Sequence, residues 1–292
     1  MGTLKAFLRT MRPKQWIKNG VIFAALVFDE KLLKWQYLWP TVVGFGLFCL
    51  ISGVVYTIND VVDLEKDRQH PKKRNRPLAA GQLSPKLALG LAIGIAVGSL
   101  ILGVLLNPVF AAVLTGYLAL QVAYSFYLKH IVLLDVIAIA GGFVLRVAAG
   151  IPLVDAERFS PWLFICMTLL SLFLGLGKRR GELVQLGSEA GNHRASLDDY
   201  NLTLLDHLLS IVTASMILAY ALYTFSAPNL PMGYWMMLTI PFVIYGTFRY
   251  LYLIHVRGVT SAPDEVVLTD RPLQVDFVLW GLTAMLILYL GK

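Results

Sequence analysis

The fold class follows from the segment Leu38–Asp63, which reads LWPTVVGFGLFCLISGVVYTINDVVD. A helix that crosses a bilayer needs about 20 mostly apolar residues in a row. The part Leu38–Ile58 has this length and contains no charged residue, and Asn59, Asp60 and Asp63 follow it directly. The segment therefore predicts a membrane-spanning helix that ends in a cluster of polar, mostly acidic side chains.

The rest of the chain has the same apolar character. Hydrophobic residues make up 57% of the 292 residues, charged residues make up 15%, and the mean hydropathy is +0.68. Soluble domains carry about 25% charged residues, so this much apolar surface has to face lipid. We therefore predict an all-α integral membrane protein, with nine transmembrane helices in a single domain that covers residues 1–292. The predicted spans are Gln15–Phe28, Leu38–Ile58, Lys86–Leu106, Val109–Tyr127, Ile131–Ile151, Pro161–Gly177, Leu202–Phe225, Trp235–Ile254 and Pro272–Leu290.

Positive charge is unevenly distributed among the connections. Most of the 25 lysines and arginines lie in the N-terminal segment and in the polar stretches Asn59–Pro85 and Lys178–Asn201. Cytoplasmic loops of membrane proteins are enriched in these residues, so we place the N-terminus and both stretches in the cytoplasm. This distribution accounts for the net charge of +7. It predicts a lipid bilayer, and no nucleic acid, as the partner.

Five polar residues around the end of the first segment share one face of a helix. Tyr56, Asn59, Asp60, Asp63 and Asp67 are separated by threes and fours. Neighbouring acids on a helix repel each other by roughly 0.2–0.5 kcal/mol per pair, which a divalent cation would offset. Oxygen ligands indicate Mg²⁺, with Asn59, Asp60, Asp63 and Asp67 as predicted ligands and the three aspartates as catalytic acids. The alternative is a solvated helix end whose acids pair with the basic residues that follow.

A basic stretch follows the acids, His70–Pro77, which reads HPKKRNRP. Cations next to carboxylates indicate a site for a metal together with a polyanion such as diphosphate, with Lys73 and Arg76 as predicted contacts. For Lys72 and Arg74 the positive-inside rule is a sufficient explanation.

These two stretches resemble a known motif. The pattern Asn59-Asp60-x-x-Asp63-x-x-x-Asp67, with Arg76-Pro77 and Ala80-Gly81 after it, resembles the first Asp-rich motif of the UbiA-type intramembrane prenyltransferase superfamily. The resemblance covers essentially the whole chain. It implies nine helices around a central cavity open to the cytoplasm, with Mg²⁺ and a donor diphosphate at its mouth.

The second Asp-rich motif of that superfamily is replaced here by basic residues. After the sixth predicted helix the chain reads GKRRGEL, residues Gly177–Leu183. Arginine and lysine bind phosphate directly, and arginine does so with two parallel hydrogen bonds. An aromatic prenyltransferase uses a prenyl diphosphate and an aromatic ring. The two substrates of this protein are therefore expected to carry one more phosphate group than that pair.

Three further stretches resemble one subfamily, the decaprenyl-phosphate phosphoribosyltransferases. They are Met11–Asn19 (MRPKQWIKN), Tyr124–His130 (YSFYLKH), and the segment Pro263–Arg271 before the last helix. The resemblance implies a bacterial inner-membrane enzyme that moves 5-phosphoribosyl from phosphoribosyl diphosphate to a long polyprenyl phosphate. It also implies release of diphosphate and Mg²⁺ as the cofactor. The oligomeric state, with a homo-oligomer as one alternative, stays open.

The same resemblance and the basic chemistry of these stretches give the expected substrate contacts. They are Lys18, Asn19, Tyr56, Lys73, Arg76, Tyr124, Lys129, Arg146, Lys178, Arg179 and Glu182. Two positions stay open. Arg146 lies about four turns into its helix and either binds substrate or extends to the outer face. Asp135 either orients Lys129 or is an ordinary interfacial acid.

Two other functions fit parts of this pattern. An aromatic prenyltransferase of the same superfamily is disfavoured because the second acidic motif is missing. A transporter or lipid flippase would more often carry broken helices and ionisable residues near the bilayer midplane. Here the charges concentrate on one face, which favours an enzyme that takes a soluble donor from the cytosol and a lipid from the bilayer.

Overall fold

The computed structural model describes residues 2–69, 73–154, 161–187, 195–227, 230–231 and 233–291. Every regular element in these ranges is a helix, so the predicted all-α class is confirmed. The α-helices are α1 (Thr3–Thr10), α2 (Ala24–Phe28), α3 (Trp35–Val62), α4 (Leu64–Gln69), α5 (Pro85–Leu106), α6 (Pro108–Phe126), α7 (Leu134–Gly150), α8 (Pro161–Leu186), α9 (Leu202–Ser226), α10 (Ile240–His255), α11 (Pro263–Thr269) and α12 (Arg271–Leu290). Short 3₁₀ helices are Lys73–Asn75, Leu128–His130, Ile151–Leu153, Ala195–Leu197 and Trp235–Thr239, and a longer one is Pro13–Phe23.

Seven helical stretches in the described part of the chain are long and apolar enough to cross a membrane. They establish a multi-pass membrane protein. Each of the seven overlaps one of the nine predicted spans, and Asn107 separates α5 from α6 by accepting hydrogen bonds from the first amides of α6. The seven stretches are Trp35–Val62, Pro85–Leu106, Pro108–Phe126, Leu134–Leu153, Leu202–Ser226, Trp235–His255 and Arg271–Leu290.

The two other predicted spans differ from their expected form. Residues Pro13–Phe23 form a 3₁₀ helix and only Ala24–Phe28 is α-helical, in a stretch where Pro13 and Gly20 have low helix propensity. The sixth predicted span continues as α8 beyond Gly177 to Leu186. It continues because Leu183 and Leu186 still pack against a hydrophobic core. The basic residues after Gly177 therefore lie on a helix and not in a loop.

The helices group into two compact units, and the single domain predicted from the sequence stays a prediction. Unit 1 comprises Met1–Val27, Lys31–Leu128 and Leu145–Glu157, and unit 2 comprises Phe28–Glu30, Lys129–Val144 and Arg158–Lys292. In unit 1 the long helix α3 packs against α5, α6 and the Pro13–Phe23 segment. In unit 2 the main packing is between α8 and α9, and α10 packs against α12.

Close packing in both units depends on glycine. A Cβ on Gly53 of α3 would lie 2.9 Å from the Met11 Cβ, so only glycine lets the N-terminal segment lie against this helix. In unit 2 a Cβ on Gly175 of α8 would lie 2.8 Å from a methyl group of Val136. These contacts fix the backbones that carry the polar residues considered next.

Candidate active site

The acidic motif lies in unit 1 where α3 ends. The helix stops at Val62, and Asp63 has φ −90° and ψ 10° before α4 begins at Leu64. The single helical stripe that the spacing predicted is therefore interrupted at Asp63. The side chains still meet locally, because the Asn59 amide Nδ2 donates to the Asp63 carboxylate Oδ2 at 3.1 Å. Asn59 and Asp63 thus place two oxygen-bearing groups side by side.

Asp60 is buried and is held by two arginines. Only 2% of its surface is exposed, yet it pairs with Arg12 and accepts from Arg76 Nη1 at 3.1 Å. The same Arg76 nitrogen lies 2.5 Å from Asp67 Oδ2, so this one guanidinium joins two carboxylates. The guanidinium of Arg12 also lies over the Tyr56 ring, 4.9 Å from its centroid. These contacts compensate charges that would otherwise be too costly to bury.

The four predicted metal ligands therefore divide into two pairs. Asn59 contacts Asp63, whereas Asp60 and Asp67 share Arg76. Among the described residues no group of three or more His, Cys, Asp or Glu side chains is arranged to hold a metal ion. The alternative in which the acids pair with the basic residues that follow holds for Asp60 and Asp67, which both contact Arg76. These two acids are buried, however, whereas that alternative expected a solvated helix end.

Arg146 is enclosed within unit 1, so the alternative in which it extends to the outer face is wrong. Only 6% of the residue is exposed. Its Nε donates to Asn19 Oδ1 at 2.7 Å and its Nη2 donates to the Tyr117 hydroxyl at 2.7 Å. Ser52 also donates to Asn19 Oδ1 at 3.2 Å, and the Asn19 amide donates to Cys49 Sγ at 3.4 Å. The predicted contact residues Asn19 and Arg146 are therefore neighbours in one buried polar network.

Arg179 is the centre of a second buried network, which lies in unit 2. It is fully buried, and its Nε donates to Asp135 Oδ2 at 2.7 Å while Nη1 donates to Glu182 at 2.6 Å. Asp135 also accepts from Ser196 at 3.1 Å and from the Tyr200 hydroxyl at 2.8 Å. Burial, and next the hydrogen bond to Asp135, raise the pKa of Tyr200, so its phenol remains a hydrogen-bond donor at neutral pH.

The basic motif contains one buried, ion-paired cation, Arg179, and one exposed cation, Lys178. Arg179 and Glu182, both predicted to touch substrate, engage each other, and Arg179 also engages Asp135. Asp135 is fully buried and is therefore not an ordinary interfacial acid. Lys178 is exposed, although it directly precedes Arg179 in α8. Lys178 is thus accessible and Arg179 is enclosed by its acids, and the contact of both cations with a phosphate stays a prediction.

The remaining predicted contact residues occupy varied environments. Lys18, Tyr56 and Tyr124 are partly buried, Lys73 is exposed on its 3₁₀ turn, and Lys129 is 6% exposed. The stretch His70–Lys72 lies outside the described residues.

Unit 2 also contains an apolar cavity of about 330 Å³. Its walls come from α8, α9, α10, the end of α11 and α12, together with Phe28. Most of the lining is apolar, and Asp276 supplies the one carboxylate among the lining residues. The cavity is large enough for part of a lipid chain or a small ligand.

The fold and these polar clusters define a membrane-embedded enzyme class, and sequence comparison identifies the family. The sequence model of the UbiA prenyltransferase family matches residues 20–264, and the chain belongs to this family. The decaprenyl-phosphate phosphoribosyltransferase of Mycolicibacterium smegmatis is 35% identical over 291 residues, covering 95% of this chain and 90% of the relative. The protein of the same name from Corynebacterium glutamicum is 32% identical over 290 residues, covering 97% and 86%.

Solved structures agree on the fold. A UbiA homologue from Archaeoglobus fulgidus, bound to GPP and Mg²⁺, superposes with a TM-score of 0.74. It shares 19% sequence identity, and the match covers 97% of this chain and 99% of that one. At this identity the similarity establishes the fold alone.

Several residues of these networks were not predicted as site residues, among them Arg12, Tyr117 and Tyr200. Arg12 lies within the Met11–Asn19 motif, directly before Pro13, and this position could have identified it as a site residue. It adopts a left-handed backbone, with φ 52°, that directs the chain into the 3₁₀ helix. Tyr117 and Tyr200 gave no such signal, because a single tyrosine in or near an apolar span is common and its partner is distant in sequence.

We expect Arg76→Gln to destabilise the protein far more than Arg74→Gln. Removing Arg76 leaves Asp67 without its guanidinium and Asp60 with only one, and breaking a buried ion pair costs about 3–5 kcal/mol. Arg74 is exposed on the neighbouring turn, so it is a matched control. Thermal unfolding of both variants in detergent, without added metal, measures the difference. Equal shifts in the two variants would show that the Arg76 pairs do not hold this site together.

Proposed function

We propose that the protein transfers 5-phosphoribosyl from phosphoribosyl diphosphate to a long-chain polyprenyl phosphate and releases diphosphate. The observation that carries this proposal is the match, over nearly the full length, to relatives named decaprenyl-phosphate phosphoribosyltransferase. The replacement of the second acidic motif by GKRRGEL supports it, because a substrate pair with an additional phosphate requires cations there.

The donor diphosphate and its metal are assigned to the acidic cluster of unit 1. Asn59 and Asp63 supply adjacent oxygen donors, which suit Mg²⁺, so we assign the metal to these two side chains. When bound, Mg²⁺ neutralises charge on the departing diphosphate. Asp60 and Asp67 have a different task in this proposal, which is to orient Arg12 and Arg76.

Arg12 and Arg76 can reach a diphosphate while they stay paired with their acids. Their side chains are 27% and 25% exposed, so part of each guanidinium remains accessible beside the buried carboxylates. A guanidinium carries five N–H donors and can bridge a carboxylate and a phosphate at the same time. Lys73, exposed on the following turn, adds a third cation for the same anion.

The transfer itself requires no general base from the protein. An anionic oxygen of the acceptor phosphate forms the new bond to the anomeric carbon, while the bond from that carbon to diphosphate breaks. Because the attacking oxygen is already ionised at neutral pH, no proton has to be removed. The protein accordingly has to position the two substrates and stabilise charge on the leaving group.

The acceptor phosphate is assigned to the basic residues of unit 2. Lys178 is exposed at the inner end of α8, and Lys129 lies on the 3₁₀ turn before α7. The buried pair of Arg179 and Asp135 joins α8, which carries Lys178, to α7, which follows the 3₁₀ turn of Lys129. Arg179 is therefore proposed as a positioning residue, and the exposed Lys178 as the residue that contacts phosphate.

The apolar cavity of unit 2 is proposed to receive part of the polyprenyl chain. Each buried CH₂ group contributes about 0.8 kcal/mol, so a long chain gains affinity from such a wall without any specific contact. We further propose that the protein lies in a bacterial inner membrane, with nine spans and with the N-terminus and the polar stretches on the cytoplasmic side. This orientation gives a soluble phosphorylated donor access to both clusters of charge.

An aromatic prenyltransferase activity is the second candidate. It is favoured by the fold shared with a homologue that was solved with GPP and Mg²⁺. It requires a second metal-binding acidic motif, and α8 carries Lys178, Arg179 and Arg180 at that place. Arg180 contacts Asp206 at 2.6 Å, and Arg179 contacts Asp135, so the acids nearby are already paired with arginine.

We expect the purified protein to move label from phosphoribosyl diphosphate into an organic-soluble product. The incubation contains donor labelled in the ribose, Mg²⁺ and a polyprenyl phosphate, and the organic phase is counted after extraction. A parallel reaction with prenyl diphosphate and a hydroxybenzoate ring tests the second candidate. Prenylated ring and no labelled lipid would overturn the phosphoribosyl assignment.

We expect Asp63→Ala to reduce turnover about a thousandfold or more, because several kcal/mol of transition-state stabilisation depend on a metal ligand. Glu65→Ala is the control, since Glu65 has the same charge two residues away and its side chain is 76% exposed. Both variants are assayed across a range of Mg²⁺ concentrations after their folding has been checked by thermal unfolding. Turnover by Asp63→Ala within tenfold of the parent, with unchanged Mg²⁺ dependence, would exclude Asp63 as a ligand.

Lys178→Gln is expected to raise the KM for polyprenyl phosphate by about tenfold to a hundredfold, because a charge-assisted hydrogen bond contributes roughly 1.5–3 kcal/mol. The KM for phosphoribosyl diphosphate and the unfolding temperature should change little. Lys86→Gln, at an exposed position at the start of α5, controls for a general loss of positive charge. If the KM for phosphoribosyl diphosphate rises instead, the basic motif binds the donor and not the acceptor.

A further inference from the structure

Two buried hydroxyl groups in the unit 2 cavity lack a hydrogen-bond partner. Tyr223 of α9 is 4% exposed and Tyr250 of α10 is 3% exposed, and both line the cavity. Within the described part of the chain, neither hydroxyl oxygen has a partner. By contrast, the hydroxyl of Tyr220, which also lines the cavity, has two partners. It shares a hydrogen bond of 2.7 Å with the Thr239 hydroxyl and accepts one of 2.8 Å from Trp280 Nε1. Buried polar groups without a partner are rare, so they indicate a ligand that supplies one.

A carboxylate shares this cavity. Asp276 lies within the membrane-spanning helix α12, and among the described residues it has no hydrogen bond or ion pair. Gly246 of α10 makes room for it, because a Cβ at this position would lie 2.8 Å from Asp276 Oδ2. An ionisable side chain inside a membrane segment is expensive and is usually retained for function. None of the transfer steps proposed above employs Asp276.

The chemistry of these groups defines the ligand. The rest of the wall is mostly apolar, with side chains such as Phe173, Met216 and Phe277, and none of the described residues that line it is lysine or arginine. A carboxylate in such surroundings attracts a cation far more strongly than it would in water. It repels an anionic headgroup, and a neutral hydroxyl gains less from it than an ammonium group does.

We propose that this cavity binds a lipophilic amine, with the ammonium group on Asp276 and the apolar body along the wall. The hydroxyl groups of Tyr223 and Tyr250 provide additional acceptors or donors for the polar end. Such a ligand is chemically unlike either substrate of the transfer reaction. It would occupy space that the proposed function gives to the acceptor chain, so the site is one at which the enzyme can be inhibited from within the bilayer.

Dodecylammonium and dodecanol test this site without donor, acceptor or metal, so the result is independent of the transfer activity. The protein is reconstituted in nanodiscs of zwitterionic lipid, and its thermal unfolding is followed as each probe is titrated. We expect the amine to stabilise the protein with an apparent affinity at least about tenfold tighter than that of dodecanol, whose chain is the same.

Three variants separate binding at Asp276 from adsorption to lipid. Asp276→Asn should weaken the apparent affinity for dodecylammonium by about tenfold or more. Gly246→Ala keeps the carboxylate but crowds it, and it should weaken binding in the same direction. Asp199→Asn, at an exposed position of unit 2, should have no effect. The proposal is overturned if the amine stabilises all three variants like the parent, or if dodecanol binds as tightly as dodecylammonium.

Discussion

The candidate site of unit 1 depends on the pairing of one buried carboxylate with two arginines. Asp60 is at the end of α3, Arg12 precedes the 3₁₀ helix, and Arg76 follows α4. An isolated ion is too costly to bury, so the three segments are stable together and unstable apart. Asp67 extends the same network through Arg76. The ion pairs thereby fix the positions of two guanidinium groups next to the proposed metal ligands.

The same constraint acts in unit 2. Arg179 and Asp135 are both fully buried, and each is satisfied by further partners, Glu182 for the arginine and Ser196 and Tyr200 for the aspartate. A buried pair of this kind specifies one arrangement of α7, α8 and the segment around Ala195–Leu197. In the proposed function the phosphate contact falls to Lys178, whose flexible side chain is exposed on the same helix.

Both units contain charged motif residues that lie in buried ion pairs. Sequence spacing indicated that Asp60, Asp67 and Arg179 would bind metal or phosphate directly, because their residue types suit that chemistry. In the structure all three are buried in ion pairs, and their direct contact with metal or phosphate stays a prediction. Spacing along a helix cannot distinguish the two roles, since it carries no information about which distant residues approach. The position of Arg146 was undecided for the same reason.

The sequence by itself determined the all-α membrane class, seven of the spans to within a few residues, the family, and the positions of both charged motifs. These features are local, because apolar runs of about 20 residues and residue types at fixed spacing require no knowledge of distant contacts. Only the tertiary structure decided that α3 ends at Val62, that α8 continues to Leu186, and how the charged groups pair. Those outcomes depend on burial and on partners up to 127 residues apart in sequence, such as Arg146 and Asn19.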